Sequence, residues 1–247
     1  MRKLIKGNVI RLFQNKLFLG GCGIAMFFTF LWCAEFIEIL PVLSGEPMER
    51  MILCSGAMLF FFSFFVPIYV GVEYSDGIIR NKIITGYNQK TILLSDMITM
   101  FIGVIFMTAC WLIGGGASGG FESSKIGIFA LISMIYTCAH TAMITTISFR
   151  IQKPVVAISI SMVGFFILFQ SMLFGNFFVN RLGLQAEVRD FGLIIYHLNI
   201  IGQWFSHTYY SFGEISIAPV IQILISVAII LFAWMIGVMD LEKRDLN

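Results

Sequence analysis

Charged residues are scarce in this 247-residue sequence, where Asp, Glu, Lys and Arg together make up 12%. Soluble domains carry about 25%, and a soluble chain of this length could not bury a hydrophobic content of 58%. A lipid bilayer removes that limit because it solvates the apolar exterior. The sequence therefore predicts an all-α membrane protein with a single transmembrane domain, 1–247. The net charge of +2 gives no indication of a nucleic-acid partner.

Motifs for catalysis, metal binding and nucleotide binding are also lacking. The spacings of the five cysteines are typical of neither a disulfide framework nor a zinc site, and we interpret these residues as small buried side chains. No HExxH or G-x-S-x-G pattern occurs. The glycine-rich stretch 114–120 is followed by Phe121 and Glu122, whereas a P-loop continues with Lys and then Ser or Thr. We therefore expect no catalytic residue, metal site or cofactor in this chain.

Six apolar stretches are long enough to cross a bilayer as helices, which takes about 20 residues. They are 17–40, 51–71, 92–116, 126–149, 154–175 and 217–238. A seventh apolar run, 191–205, is short for a span and better suited to a re-entrant or interfacial helix. It lies in the region 176–216, which we expect to be extracellular or re-entrant.

The distribution of basic residues favours six spans over seven. With a cytoplasmic N-terminus and six spans, 12 of the 16 Lys and Arg residues fall on cytoplasmic segments; with seven spans, only 10 do. Because basic residues prefer the cytoplasmic side, we predict six spans with both termini in the cytoplasm. Residues 1–16 carry five basic residues and place Ile5, Val9 and Leu12 on one helical face, which predicts a cytoplasmic interfacial helix.

Ionisable residues at membrane depth are the default functional candidates in such a protein. Four acidic residues lie near the ends of the predicted spans: Glu35, Glu38, Glu73 and Asp96. None lies at the midplane, where an ion-coupled carrier would keep its acid.

Two polar residues deeper in the spans, His140 and Gln170, are candidates for a substrate path. The simpler interpretation of His140 is a neutral histidine that is hydrogen-bonded to a neighbouring helix. An ion-coupled secondary transporter or channel is the alternative function, and an intramembrane enzyme centred on His140 is a third hypothesis.

The connection 72–91, between the second and third spans, has the most distinctive pattern. Ser75 or Asp76 can cap a helix, and Gly86 is placed to end one. The intervening residues form two faces, one with Ile79, Ile83, Ile84 and Tyr87, the other with Asn81, Lys82 and Thr85. The pattern predicts a short amphipathic helix on the cytoplasmic surface, which serves either as inert packing or as a docking surface.

At these residues the chain resembles the permease subunits of ABC-2-type exporters. In that family the second helix ends in an acidic residue, followed by a glycine, a basic residue, a second glycine and another basic residue. Here Glu73, Gly77, Arg80, Gly86 and Lys90 fit that order, with Lys82 between them. The charged tail 239–246 also resembles the end of such subunits. The chain departs from the family at Ile78, Asn88, Gln89 and Asp96, where Thr, Arg and Lys are common.

The resemblance implies a multi-pass permease subunit in a bacterial cell membrane, similar to lantibiotic-immunity and bacitracin-type peptide exporters. It implies that ATP and Mg²⁺ bind to a separate cytosolic ATPase subunit, present in two copies, and that a second permease subunit completes the transporter. The residues implied to couple to the ATPase are Glu73, Gly77, Arg80, Lys82, Gly86 and Lys90. The expected substrate is an amphiphilic compound or an antimicrobial peptide.

Overall fold

The computed structural model describes residues 1–36, 47–119, 126–181, 186–208 and 217–239, which contain ten helices and no strand. The helices are α1 (Arg2–Gln14), α2 (Lys16–Cys33), α3 (Pro47–Ser75), α4 (Ile78–Ile84), α5 (Gln89–Ala117), α6 (Ile126–Ile151), α7 (Pro154–Arg181), α8 (Ala186–Leu198), α9 (Ile200–Phe205) and α10 (Pro219–Val238). Glu38 and most of the predicted charged tail lie outside the described residues.

In the described part of the chain, six helices are long and apolar enough to cross a membrane: α2, α3, α5, α6, α7 and α10. They overlap the six predicted stretches, so the predicted number of long apolar helices is confirmed; residues 37–40 of the first stretch lie outside the described residues. The apolar run 191–205 is divided between α8 and α9 at Asn199, whose side chain accepts hydrogen bonds from the amides of Ile201 and Gly202 and caps α9. Neither α8 nor α9 reaches the length of a span.

Helix α6 lies at the centre of the bundle. It contacts α3, α5, α7, α9 and α10. Helices α3 and α6 are the most buried of the six long helices, and α7 and α10 are the least buried. Large apolar side chains such as Phe166, Ile167 and Leu224 are exposed on α7 and α10. Exposed apolar faces of this kind are compatible with lipid contact.

Two glycines allow close approach between helices. Gly114 of α5 lies against the backbone of α2, where an added Cβ would be 2.1 Å from the carbonyl oxygen of Met26. Gly71 of α3 lies against the start of α7, where an added Cβ would be 2.5 Å from Cβ of Pro154. Small residues at such contacts are typical of membrane helices, because their association depends on van der Waals packing.

Helix α1, helix α4, the α6–α7 junction and the last turn of α10 lie at one end of the bundle. Tyr74 donates a hydrogen bond to the carbonyl of Phe149 at 2.8 Å, which joins the end of α3 to the end of α6. The guanidinium of Arg150 donates to the carbonyl of Met239 at 2.7 Å, which joins α6 to the end of α10. We call this end of the bundle the α4 end.

Helix α1 packs against α5 through a face that differs in part from the predicted one. Its buried residues are Leu4, Asn8 and Leu12, which follow one another at one-turn intervals. Ile5 and Val9, predicted to share the apolar face with Leu12, are only half-buried. A polar residue, Asn8, therefore lies at the centre of the packed face, and its partners explain this arrangement.

Candidate functional site: a buried charge cluster beside helix α4

Two glycines define the ends of α4. Gly77 precedes the helix with φ of 68°, and Gly86 follows it with φ of 92°, both in the left-handed region that favours glycine. The amides of Gly86 and Tyr87 donate to the carbonyls of Ile83 and Lys82, at 2.9 and 3.1 Å. This is the Schellman arrangement of a helix C-terminus. Gly86 therefore ends the helix, as its position in the sequence predicts.

The start and the buried face of α4 differ from the prediction. Helix α3 continues through Ser75, and the N-cap of α4 is Gly77, with no side-chain cap. The buried residues of α4 are Ile79 and Lys82, whereas Ile84 is 73% exposed. The apolar pattern predicts the reverse for Lys82 and Ile84. Lys82 turns inward because carboxylates on α3 and α5 lie within reach of its ammonium group.

Four ionisable residues, one from each of α1, α3, α4 and α5, lie together on the buried side of α4. Lys82 Nζ donates to Glu73 Oε2 at 2.7 Å and to Asp96 Oδ1 at 3.3 Å. Glu73 Oε1 pairs with Arg11 Nη1 at 2.7 Å. The Glu73 and Asp96 side chains are fully buried, and Lys82 is 8% exposed. We call Arg11, Glu73, Lys82 and Asp96 the charge cluster; with all four ionised, its two positive and two negative charges balance.

Neutral polar groups extend the charge cluster. Asn8 Nδ2 donates to Asp96 Oδ1 at 2.7 Å and to Ser95 Oγ at 3.0 Å. The Tyr69 hydroxyl donates to the Asn8 carbonyl at 3.0 Å, and the Arg11 guanidinium lies 4.8 Å above the Tyr69 ring, within cation–π distance. Polar contacts thus join α1, α3, α4 and α5 at a single place.

The charge cluster holds α4 against the bundle. Separating one partner of a buried ion pair leaves an uncompensated charge, at a cost of about 3–5 kcal/mol. Helix α4 therefore cannot shift away from the bundle on its own without that cost. Lys82 and its partners thus connect α4 to the ends of α1, α3 and α5.

The six residues implied to couple to an ATPase have different environments. Glu73 and Lys82 are buried in the charge cluster, and the two glycines shape the backbone on either side of α4. Lys90 is half-buried in the first turn of α5. On the side of α4 that faces away from the bundle, four residues are exposed: Arg80, Asn81, Ile84 and Thr85.

The sequence alone does not connect Asn8, Arg11 and Tyr69 with this site. A partial signal exists within each helix, because Tyr69 lies four residues before Glu73 and Asn8 lies three residues before Arg11, so each pair shares a helical face. No local pattern indicates that α1 packs on the start of α5. That contact is a property of the folded bundle.

His140 and Gln170, the two candidates for a substrate path, lie on α6 and α7. His140 Nε2 lies 2.8 Å from Ser63 Oγ of α3, and the Ser63 hydroxyl itself donates to the carbonyl of Leu59 at 2.8 Å. His140 is buried, and Gln170 is half-buried. The contacts of His140 agree with the simpler interpretation of a histidine that joins two helices.

A second polar cluster, which the sequence alone does not indicate, lies where α8 and α9 meet α10. Gln203 donates to the carbonyl of His197 at 2.7 Å and accepts from the hydroxyl of Ser226 at 2.8 Å. His207 Nε2 donates to Gln222 Oε1 at 2.9 Å. Burial lowers the pKa of both His197 and His207 below the ordinary value for histidine.

Comparison with known proteins assigns no family to this chain. Within the part of the chain that the structure describes, no group of three or more His, Cys, Asp or Glu side chains could hold a metal ion. No family model matches the chain, and no curated protein matches its sequence significantly.

Proposed function

We propose that this chain is the membrane-spanning permease subunit of an ATP-driven ABC exporter and that α4 contacts a cytosolic ATPase subunit. The observation that carries the proposal is the two-sided nature of α4. One side is held by the buried Lys82–Glu73 and Lys82–Asp96 contacts, and the other exposes Arg80 and Ile84. A docking element needs both a firm attachment and an accessible face, and arginine is a frequent contributor to protein interfaces.

In this proposal ATP and Mg²⁺ bind to the partner, which is present in two copies, and this chain supplies no catalytic residue. Closure of the ATPase dimer displaces α4. Because Lys82 is paired with residues of α3 and α5, the displacement acts on two spanning helices at once. The ATPase then favours one of two helix arrangements through its different affinity for each. The α4 end, with both termini, lies on the cytoplasmic side of a bacterial cell membrane.

A second permease subunit, identical or similar, completes the proposed transporter. The little-buried helices α7 and α10 carry exposed apolar side chains that suit either lipid or a partner subunit. The proposed substrate is an amphiphilic compound or an antimicrobial peptide that leaves along the subunit interface. Of the two candidates for that path, Gln170 is the proposed contact, whereas His140 has the structural role of joining α6 to α3.

Co-purification in a mild detergent tests the docking role of α4. The wild-type chain is expected to retain an ABC ATPase subunit from its native host. The variants Arg80→Glu and Ile84→Asp should each reduce the recovered ATPase about tenfold, because loss of an interface anchor costs more than ~1 kcal/mol. A matched control is Lys153→Glu, which reverses an exposed charge in the α6–α7 connection at the same end of the bundle. It should leave recovery unchanged.

A different outcome of this experiment would favour the alternative function. If the chain purifies without an ATPase, and transport continues after ATP depletion but stops when the ion gradient is collapsed, the chain is an ion-coupled carrier or channel. Equal loss of ATPase from the Arg80→Glu and Lys153→Glu variants would show that general charge at this end, and not α4, determines binding.

A further inference from the structure

A long apolar groove runs along the outside of the bundle between α2 and α3. Its volume is about 360 Å³. Exposed side chains such as Ile24 of α2 and Phe60 of α3 form its walls. The two helices touch where the Phe61 ring packs on Gly21, since an added Cβ there would lie 2.3 Å from the ring. The groove is therefore a structured depression between two packed helices.

One end of the groove is basic. Among the described residues that line it, Lys16 is the only charged one. Lys16 is the first residue of α2 and is exposed. The preceding helix, α1, carries three further exposed basic residues: Arg2, Lys3 and Lys6. The groove thus combines a positive charge at one end with apolar walls along the rest of its length.

The length of the groove is close to the thickness of one leaflet of a lipid bilayer. Its α2 wall extends from Lys16 to Thr29, which is about 20 Å at ~1.5 Å per residue. One leaflet with its headgroup region is about 20 Å thick, and about 15 Å of that is hydrocarbon. The hydroxyl of Thr29 donates to the carbonyl of Ala25 at 2.6 Å within its own helix. The end opposite Lys16 is therefore suited to hydrocarbon.

We propose that this groove binds an anionic phospholipid, with one acyl chain between α2 and α3 and the headgroup phosphate on Lys16. The charge and length of the groove both complement such a lipid. The proposal does not depend on ATPase docking, because the groove includes neither α4 nor the charge cluster.

Native mass spectrometry of the purified full-length chain tests the headgroup contact, with palmitoyl-oleoyl phosphatidylglycerol and phosphatidylcholine as the added lipids. The first phosphatidylglycerol should bind about fivefold more tightly, which corresponds to ~1 kcal/mol for one basic residue at an anionic surface. Lys16→Gln should remove this preference and retain binding of phosphatidylcholine. Lys6→Gln removes an exposed charge outside the groove and should retain the preference.

A second pair of variants tests the acyl-chain contact. Gly20 lines the groove, and an added Cβ there would have no atom within 4 Å. Gly20→Leu therefore adds an apolar side chain beside the groove, with open space around its Cβ, and should weaken binding of both lipids about fifteenfold, the equivalent of two methylene contacts at ~0.8 kcal/mol each. Gly23 has equally open surroundings on the same helix but does not line the groove. Gly23→Leu should bind both lipids as the wild type does.

Any of three results would overturn the proposal: equal affinity of the wild type for the two lipids, a phosphatidylglycerol preference that survives Lys16→Gln, or equal effects of the two leucine variants. A fourth result would replace it. If Gly20→Leu converts a dimer to a monomer and leaves lipid binding unchanged, a second copy of the chain occupies the groove.

Discussion

Lys82 Nζ lies 2.7 Å from Glu73 Oε2, and both side chains are buried. This contact fastens the short helix α4 to the end of α3, and the same ammonium group reaches Asp96 on α5. Helix α4 is thereby part of the bundle and not a loose surface segment. The consequences of this contact can be measured without knowledge of the substrate.

Removal of the Glu73 charge should strongly destabilise the chain. Glu73→Gln leaves the buried Lys82 with a weaker set of partners and also removes the ion pair with Arg11. We expect a loss of about 3–5 kcal/mol in the free energy of unfolding, seen as a lower melting temperature in detergent. The double variant Glu73→Gln, Lys82→Gln should lose less than the sum of the single variants, with a coupling of about 1–3 kcal/mol.

The ion pair Glu35–Arg50, in which the carboxylate is exposed, provides the control. Its oxygen–nitrogen distance is 2.8 Å, close to that of Lys82–Glu73, but the Glu35 side chain is 67% exposed. Glu35→Gln should therefore cost less than about 1 kcal/mol. If the Glu35 and Glu73 variants melt alike, burial does not govern the strength of the Glu73 contact.

Gly114→Ala should destabilise the contact between α2 and α5. The added methyl group would lie 2.1 Å from the carbonyl oxygen of Met26, a backbone atom that cannot rotate away. Separation of the two helices should lower the melting temperature, with a cost of about 1–3 kcal/mol for overpacking. Gly127→Ala in α6, where nothing lies within 4 Å of the new Cβ, should be neutral or stabilising because alanine favours a helix. If Gly114→Ala and Gly127→Ala lower the melting temperature equally, the close contact of Gly114 with Met26 is not what limits the size of the side chain there.

His140→Ala should reduce stability more than activity. The substitution removes the hydrogen bond to Ser63 Oγ and leaves a cavity, which together should cost about 2 kcal/mol. Ser63→Ala removes the same bond with little cavity and should cost about 0.6 kcal/mol, the average for such bonds in a membrane. Transport normalised to folded protein should be retained in both variants. Its complete loss in well-folded His140→Ala protein would favour a proton relay or an intramembrane enzyme.

The stability of the chain should decrease in mild acid because of His197 and His207. Burial lowers the pKa of both imidazoles in the folded chain, whereas the unfolded chain takes up protons near the ordinary pKa of about 6.5. Their contribution is therefore complete above about pH 6.5 and is lost as the pH falls through the lower folded pKa values. Protonated His197 would need an acceptor for Nε2, which has none among the described residues.

Melting temperatures measured between about pH 7.5 and 5.5, on either side of the ordinary pKa of histidine, check this expectation. The double variant His197→Gln, His207→Gln should show a smaller decrease across this range than the wild type. An equal decrease in both proteins would assign the acid sensitivity to other groups.

The two termini should lie on the same side of the membrane. An even number of spans, such as the six candidates among the described residues, returns the chain to its starting side, and contacts place α1 and the end of α10 at the same end of the bundle. Reporter fusions at Met1 and Asn247 should both be active in the cytoplasm. Opposite locations of the two reporters would indicate that 191–205 also crosses the membrane.

The sequence by itself determined the number and positions of the six long helices, because the length of an apolar run is a local property. It also located the end of α4 at Gly86, since a glycine after a short helical pattern is a local signal for a C-terminus. Both features require only residues that are neighbours in the chain.

Only the tertiary structure decided which polar groups meet. Asn8 and Asp96 are 88 positions apart in the chain, yet lie within hydrogen-bond distance of each other, and Lys82 faces inward against its local pattern because it finds Glu73 and Asp96 there. The groove beside Lys16 likewise exists only where α2 and α3 pack. Pairing of buried charges depends on distances between helices, and packing of the whole bundle sets those distances.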